Sequence, residues 1–150
     1  MQAGGCSMVT VRRLLEGKAS TLWSVEPDDP VLEVIQLMAD KHIGALPVMR
    51  NGELVGIVSE RDYARKVVLL GRSATETPVW QIMSSPVITV TRDASLNDCM
   101  QLVTLNRVRH LPVVEGGLVL GMISIGDLVK AVMDQQQHQI EDLERYIRSG

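Results

Sequence analysis

The stretch LPVMRNGELVGIVSERD, from Leu46 to Asp62, decides the fold, because it returns 65 residues later as LPVVEGGLVLGMISIGD, from Leu111 to Asp127. Both copies begin with Leu-Pro-Val, carry glycines at the same places and end in Ser-x-x-Asp. The match reaches back without a gap to Ser20, which aligns with Ser85. A duplication at a fixed spacing predicts two copies of one structural unit. We therefore expect an approximate two-fold axis and two equivalent sites.

The apolar pattern predicts strand, helix, strand, strand, helix in each copy. Asn51-Gly52 and Gly116-Gly117 supply the positive-φ residues of type I′ hairpin turns. At the first helix, Asp29 is the expected N-cap and Pro30 the first helical residue. The expected elements are strand 21–25, a helix from Val31, strands 46–50 and 54–58, helix 60–70, strand 87–90, helix 96–106, hairpin 111–123 and a helix from Ile125.

The duplication also divides the chain into segments. We expect a disordered or expression-derived start at 1–8, the first repeat at 9–70, a linker at 71–78, the second repeat at 79–133 and a helical extension at 134–150. The extension carries an apolar stripe on a polar background, formed by Ile140, Leu143, Tyr146 and Ile147. Such a stripe indicates a buried face. It either folds back on its own domain or contacts a partner subunit.

Composition excludes several classes of function. The 150 residues carry a net charge of −3, which argues against a general nucleic-acid or acidic-membrane binder. The core must be aliphatic, because the chain has no Phe. Cys6 and Cys99 show neither metal nor disulfide spacing, which suits a reducing compartment. With no signal-peptide pattern and no long apolar run, we expect a cytoplasmic protein without a membrane span.

The Ser-x-x-Asp element has two readings. In a helix capping box, Ser59 caps the helix and Asp62, three residues on, bonds back to it. Alternatively, the short carboxylate accepts hydrogen bonds from a ribose diol while the Ser hydroxyl and helix N–H groups face an anion. Asp62 and Asp127 cannot attract phosphate themselves, so basic side chains are required nearby.

The repeats resemble CBS domains, named after cystathionine β-synthase, in the tandem arrangement called a Bateman module. The resemblance rests on the motifs at 44–48 with 56–62 and at 109–113 with 121–127. It implies an α/β (α+β) fold in which two βαββα CBS repeats pack with pseudo-two-fold symmetry into one CBS pair. It covers the chain from about Val9 to Met133.

The resemblance also implies a set of nucleotide-binding residues. Ribose and phosphate are expected at Ser59, Asp62, Ser124 and Asp127. Phosphates are expected beside Arg61, Arg65, Arg109 and His110, with Arg107 and Lys130 as weaker candidates. The adenine is expected along the backbone of Gly44 and Ala45 and of Arg109 and His110. The apolar wall is expected from Leu22, Val25, Val87 and Val90, and the rim from Lys18 and Ser20 with their counterparts Met83 and Ser85.

The implied function is that of a non-catalytic sensor of adenine nucleotides, AMP foremost, with ADP, ATP or NAD(H) as alternatives. No catalytic motif and no metal site is recognisable, although hydrolysis of the bound nucleotide is a third possibility. The ligand state would be read by an unidentified regulated protein. The alternative is a structural interaction module whose Ser-x-x-Asp elements are only caps. We further expect a homodimer, through an apolar helical face formed by residues 67–70, Val129, Val132, Met133 and the stripe of the extension.

Overall fold

Two antiparallel hairpins, one in each copy of the duplication, organise the fold. In the computed structural model, which describes residues 9–18 and 21–149, strand β1 (Ala45–Arg50) pairs with β2 (Glu53–Ser59). Strand β3 (His110–Glu115) pairs with β4 (Leu118–Ser124) in the same register. The two sheets are separate, as expected for two copies of one unit.

The hairpin turns have the conformation that the sequence predicts. Asn51 and Gly52 have φ angles of 50° and 81°, and Gly116 and Gly117 have 57° and 83°. Both central residues of a type I′ turn need positive φ, which glycine and asparagine tolerate best. Each hairpin also contains a bulge at the same place, between Val48 and Met49 and between their counterparts in β3.

The two expected first strands are not strands but single bridges. Val25 makes one parallel bridge to Val48, donating to the Pro47 carbonyl over 3.1 Å and accepting from the Met49 N–H over 2.8 Å. The next bond of such a ladder would need an N–H on Pro47, which proline lacks. Val90 bridges to Val113 and meets a proline at the equivalent place, Pro112. The expected strands 21–25 and 87–90 are therefore wrong in extent.

Helices α2 (Val31–Lys41) and α4 (Leu96–Asn106) pack on the hairpins of their own repeats. The N-cap of α2 is Pro30 rather than the predicted Asp29. The Asp29 carboxylate instead accepts a 2.8 Å hydrogen bond from the Glu26 N–H and closes the preceding turn.

The helix predicted at 60–70 is shorter in the structure, and its second part is a π-helix. Helix α3 (Glu60–Tyr63) continues as a π-helix over Ala64–Val68, and turns follow to Gly71. Helix α5 (Ile125–Ser149) runs unbroken for 25 residues, as the sequence predicts. Its second half extends past the core, because every residue from Met133 to Arg148 is exposed.

Each copy has its own core, and each core is completed by a segment that precedes the other copy. Helix α1 (Val11–Glu16), which the sequence analysis does not predict, belongs to the second core. It is held there by bonds of 2.9 Å from the Val11 N–H to the Ala94 carbonyl and from the Leu96 N–H to the Val9 carbonyl. A short 3₁₀ helix over Val79–Gln81 packs reciprocally into the first core.

Because of this exchange, the predicted domain boundaries divide the sequence but do not separate the two cores. Residues 9–16 lie in the predicted first repeat but pack on the second, and residues 79–83 do the reverse. The buried side chains Val11 and Val79 mark the two exchanged segments. The chain therefore crosses between the halves twice, and the first crossing passes Lys18.

Candidate functional site

A cleft of about 610 Å³ lies between the two repeats. The first repeat contributes residues 21–23 and 42–47, and the second contributes His110, 120–122 and Ser124. The end of the crossing segment closes one side with Leu15, Glu16 and Lys18. A cleft with this volume and a mainly apolar lining is typical of small-ligand sites.

An ion pair joins Lys18, one of the residues that line the cleft, to Asp127. The Lys18 ammonium donates to Asp127 Oδ2 over 2.6 Å, and the Ser124 N–H donates to the same oxygen over 2.8 Å. Burial raises the pKa of Asp127, but the Lys18 and Ser124 hydrogen bonds outweigh it, and the net pKa lies below the usual value. Asp127 is thus an anion at neutral pH. Its second oxygen has no hydrogen-bond partner within residues 9–18 and 21–149.

His110 lies half-buried in the same cleft. Burial lowers its pKa, the nearby positive charges of Lys18 and Arg109 lower it further, and Asp127 opposes them. The imidazole is therefore held neutral, so one ring nitrogen donates and the other accepts. Gly44 faces it closely, because a Cβ added there would lie 3.6 Å from His110 Nε2 and 3.1 Å from Glu60 Oε1.

Trp23 and His42 are among the lining residues that the sequence did not predict for the site. Trp23 lines the cleft at 38% exposure, and the Lys41 ammonium lies 4.3 Å from the centre of its ring. His42 ends α2 in the left-handed conformation, with φ 56°. A tryptophan beside Leu22, already expected in the wall, is the signal that could have identified this aromatic surface.

In the first copy, Ser59 and Asp62 are hydrogen-bonded to each other at the start of α3. Asp62 Oδ2 accepts from the Ser59 N–H over 2.8 Å and from the Ser59 hydroxyl over 3.0 Å. Asp62 Oδ1 lies 3.3 Å from the Lys66 ammonium. The Glu60 N–H donates to the Gly44 carbonyl over 3.0 Å. The expected free N–H groups at this helix start are thus partly used by the protein itself.

A third Ser-x-x-Asp, which the sequence analysis overlooked, clarifies the motif. Ser95 and Asp98 form a capping box at the start of α4, with both bonds at 3.0 Å. The Ser95 bonds lower the pKa of Asp98. This box lies on the exposed surface away from the cleft. A Ser-x-x-Asp sequence can therefore serve only to cap a helix. A ligand site has to be recognised from the residues around the motif.

The structure brings together some of the predicted site residues and separates others. In the cleft lining are Lys18, Leu22, Gly44, Ala45, His110 and Ser124, with Asp127 joined through Lys18. Outside the lining are Ser59, Arg61, Asp62, Arg65, Val87 and Arg109. Val25 and Val90 are corrections to the predicted wall, since each is buried in the core of its own repeat. Ser20 lies outside the described residues.

Comparison with known proteins assigns the family. The family model "CBS domain" matches the chain twice, at residues 19–69 and 79–134. The chain belongs to the CBS-domain family. The two matches correspond to the two hairpin units, so the molecule is a CBS pair.

Two curated relatives and one solved structure agree with this assignment. The mitochondrial CBS domain-containing protein CBSX3 of Arabidopsis thaliana is 38% identical over 160 aligned positions, covering 100% of this chain and 77% of the relative. YhcV of Bacillus subtilis is 32% identical, covering 75% and 80%. A CBS-domain structure from Burkholderia ambifaria superimposes with a TM-score of 0.82 at 48% identity, covering 85% of this chain and 96% of that one.

The two CBS repeats differ where their clefts should be equivalent. Met83 occupies the position that Lys18 has in the other half. Its side chain packs against Gly56, where an added Cβ would lie 2.8 Å from Met83 Cγ. Beside it, Ile57 and Ser84 exchange backbone hydrogen bonds of 3.1 and 2.8 Å. The second repeat's Asp127 thus pairs with a cation from the segment after α1, whereas the first repeat's Asp62 pairs with Lys66 in its own helical run.

Within residues 9–18 and 21–149, no group of three or more His, Cys, Asp or Glu side chains could hold a metal ion. In the same part of the chain, no helix has both the length and the apolar character of a bilayer span.

Proposed function

We propose that this CBS pair is a non-catalytic regulatory module that binds an adenine nucleotide in the cleft between its repeats. The observation that carries the proposal is the Lys18–Asp127 ion pair beside the cleft, whose lining is both polar and apolar. The family supports it, since nucleotide binding is typical of CBS pairs.

Each part of a nucleotide has a chemical counterpart in the cleft. The adenine fits the apolar wall that includes Leu22 and Trp23, with the backbone around Gly44 as hydrogen-bonding edge. The second Asp127 oxygen suits a ribose diol. Lys18 supplies positive charge for a phosphate, and neutral His110 can donate a hydrogen bond to it. AMP is the first candidate, and ADP, ATP or NAD(H) are alternatives.

The proposal includes a reader of the bound state. The ligand would contact both repeats and the crossing segment at Lys18, so binding would bias how the halves sit together. A regulated protein, not yet identified, would respond to that bias in the cytoplasm. The Burkholderia ambifaria relative is itself described as a candidate signal-transduction protein.

Calorimetry and thermal unfolding with AMP, ADP, ATP, NAD, NADH and S-adenosylmethionine test the proposal, with GMP as the non-adenine control. A ligand present at 100 times its Kd should stabilise the fold by about 2.7 kcal/mol. No stabilisation by any adenine compound would refute the proposal. Release of ADP or of nicotinamide during the incubation would contradict the non-catalytic assignment.

Matched variants locate the site. Lys18→Met introduces the residue that the other half carries naturally, and it should weaken AMP much more than adenosine. Asp127→Asn should weaken both ligands by about 1.5–3 kcal/mol, the range for charge-assisted hydrogen bonds. Asp98→Asn changes the same motif outside the cleft and should leave binding unchanged. Equal effects of the Asp127 and Asp98 variants on affinity would remove Asp127 from the site.

A second candidate function is a structural interaction module without a ligand. It is favoured by the capping box at Ser95 and Asp98, which has the same geometry as the box at Ser124 and Asp127 and lies outside the cleft. Under this alternative, Asp127→Asn and Asp98→Asn both lower stability and no adenine compound binds.

A further inference from the structure

The apolar stripe of α5 does not fold back on its own domain. Leu128 is fully buried in the second core, and Ala131 and Val132 pack against that core. The opposite face has no such cover. Its apolar side chains, which we call the α5 stripe, are exposed at 47–67%: Val129, Met133, Ile140, Leu143 and Ile147. The sequence left open whether this stripe folds back on its own domain or contacts a partner subunit, and the structure contradicts the first possibility.

The other apolar residues predicted for an interface are less suitable. Val67 is buried in the first core and Val132 is half-buried against the second, so neither is available. Val68, Leu69 and Leu70 are exposed but follow one another at the end of a π-helix, where they form no regular stripe.

The spacing of the α5 stripe is that of a coiled-coil seam. Positions 129, 133, 136, 140, 143 and 147 advance by alternate steps of four and three residues. Steps of this kind keep one side of a helix against a partner helix. Gln136 is the one polar member, with apolar layers on both sides of it.

We propose that α5 pairs antiparallel with α5 of a second copy of this chain, with the stripe as the seam. In this register Met133 lies opposite the partner's Leu143, and Val129 lies opposite the partner's Ile147. In the same register Gln136 lies opposite the partner's Ile140, so the two central layers each pair a polar with an apolar side chain, and the outer layers are wholly apolar.

Charge determines the direction of the pairing. Lys130 and Glu144 flank the same side of the stripe, and the antiparallel register places Lys130 of each copy beside Glu144 of the other. Lys130 has no ion-pair partner within the described part of the chain, and Glu144 has only a long contact of 3.7 Å to Arg148. A parallel pair would put Lys130 beside Ile125 and Glu144 beside Gln139, with no charge complementarity. It would also force the two globular units side by side.

Light scattering and analytical ultracentrifugation of the full chain test the pairing. We expect a dimer, and we expect Ile140→Glu to give a monomer with unchanged circular dichroism, because Ile140 is exposed within the chain. The nucleotide affinity of this variant, measured in parallel, separates the inference from the proposed function. A monomeric wild-type chain, or a dimer that Ile140→Glu leaves intact, would overturn the inference.

Charge reversal tests the register. Lys130→Glu and Glu144→Lys should each weaken the dimer by roughly tenfold, since each turns two attractive contacts into repulsive ones. The double variant restores the pairs and should recover most of the affinity. Glu141→Lys is the matched control, since it makes the same charge change on the outward face. Additive losses in the double variant would contradict the antiparallel register.

Cross-linking tests the direction independently. Lys130→Cys and Glu144→Cys are made separately in a Cys6→Ser background, in which the remaining Cys99 is buried. With a short bismaleimide, the mixture should give a product containing one chain of each variant, and neither variant alone should cross-link. Self-cross-linking of each variant would indicate a parallel pair, and no product at all would refute pairing through α5.

Discussion

Lys18 and Met83 occupy equivalent positions of the two repeats, and the residues around them differ accordingly. Lys18 donates to Asp127 over 2.6 Å, while Met83 packs on Gly56. Asp62 then pairs with Lys66, whose counterpart in the second repeat is Ala131. The replacement of Lys18 by Met83 at the equivalent position is thus accompanied by different partners for Asp127 and Asp62. The duplication gives two similar helix starts, and single residues make their chemistry different.

His110 should make stability depend on pH. Its pKa is lowered in the folded state, so below about pH 6.5 the unfolded chain binds more protons and the free energy of unfolding falls as pH falls. The slope from this one group is at most about 1.4 kcal/mol per pH unit. Urea denaturation of wild type and His110→Gln between pH 5 and pH 7.5 measures it. The variant should show a flatter profile, and parallel profiles would contradict the prediction.

At the scale of elements, the local sequence predicted what local chemistry controls. The hairpins form where Asn51-Gly52 and Gly116-Gly117 allow the turns, and α4 and α5 follow from the spacing of nearby apolar residues. The first strands could not be predicted in extent, because their ladders end at Pro47 and Pro112, residues distant in sequence. Helix α1 was missed, since it has only six residues and packs on partners that are distant in sequence.

The contact of β2 with the segment at residues 79–83 gives a packing prediction. Gly56→Ala should lower the free energy of unfolding by about 1–3 kcal/mol, because the new methyl group would collide with Met83. Met83→Ala should relieve the collision in the double variant. A thermodynamic cycle from urea denaturation measures the coupling. Additive losses would mean that the backbone, rather than Met83, resists the methyl group.

For a similar reason, the structure brings only some of the predicted site residues together. Gly44, Ala45, His110, Ser124 and Lys18 line one cleft. The basic residues Arg61 and Arg65 lie outside the cleft lining. The sequence could not predict the direction of their side chains, because they lie in a short helix that continues as a π-helix. Burial of Val25 and Val90 likewise depends on packing across the whole repeat.

At the scale of the whole molecule, the exchanged segments join the two repeats into one cooperative unit. Val11 is fully buried in the second core and Val79 in the first, so neither repeat can lose its core without releasing part of the other. The ligand cleft lies between the same two halves, beside the first crossing. Stability and ligand binding should therefore be linked through Lys18.

This coupling predicts a single unfolding transition. Tryptophan fluorescence reports on Trp23 and Trp80, while far-ultraviolet circular dichroism is dominated by the helices, so the two signals sample different regions. Both should give the same midpoint in urea. Val11→Ala should lower the free energy of unfolding by about 1.5–3 kcal/mol in both signals equally. Separate midpoints, or a loss confined to one signal, would show that the repeats unfold independently.

The crossing of α1 also sets the order in which a nascent chain can assemble. The first core needs residues only from Val25 to Ile82, so it can close while the second repeat is still being synthesised. Helix α1 leaves the ribosome earlier but has no partner until Ala94 and Leu96 follow, more than 80 residues later. Closing so long a loop is slow and entropically costly. Helix α1 is thus among the last of the described elements to dock, and until then its apolar side chains are available to chaperones.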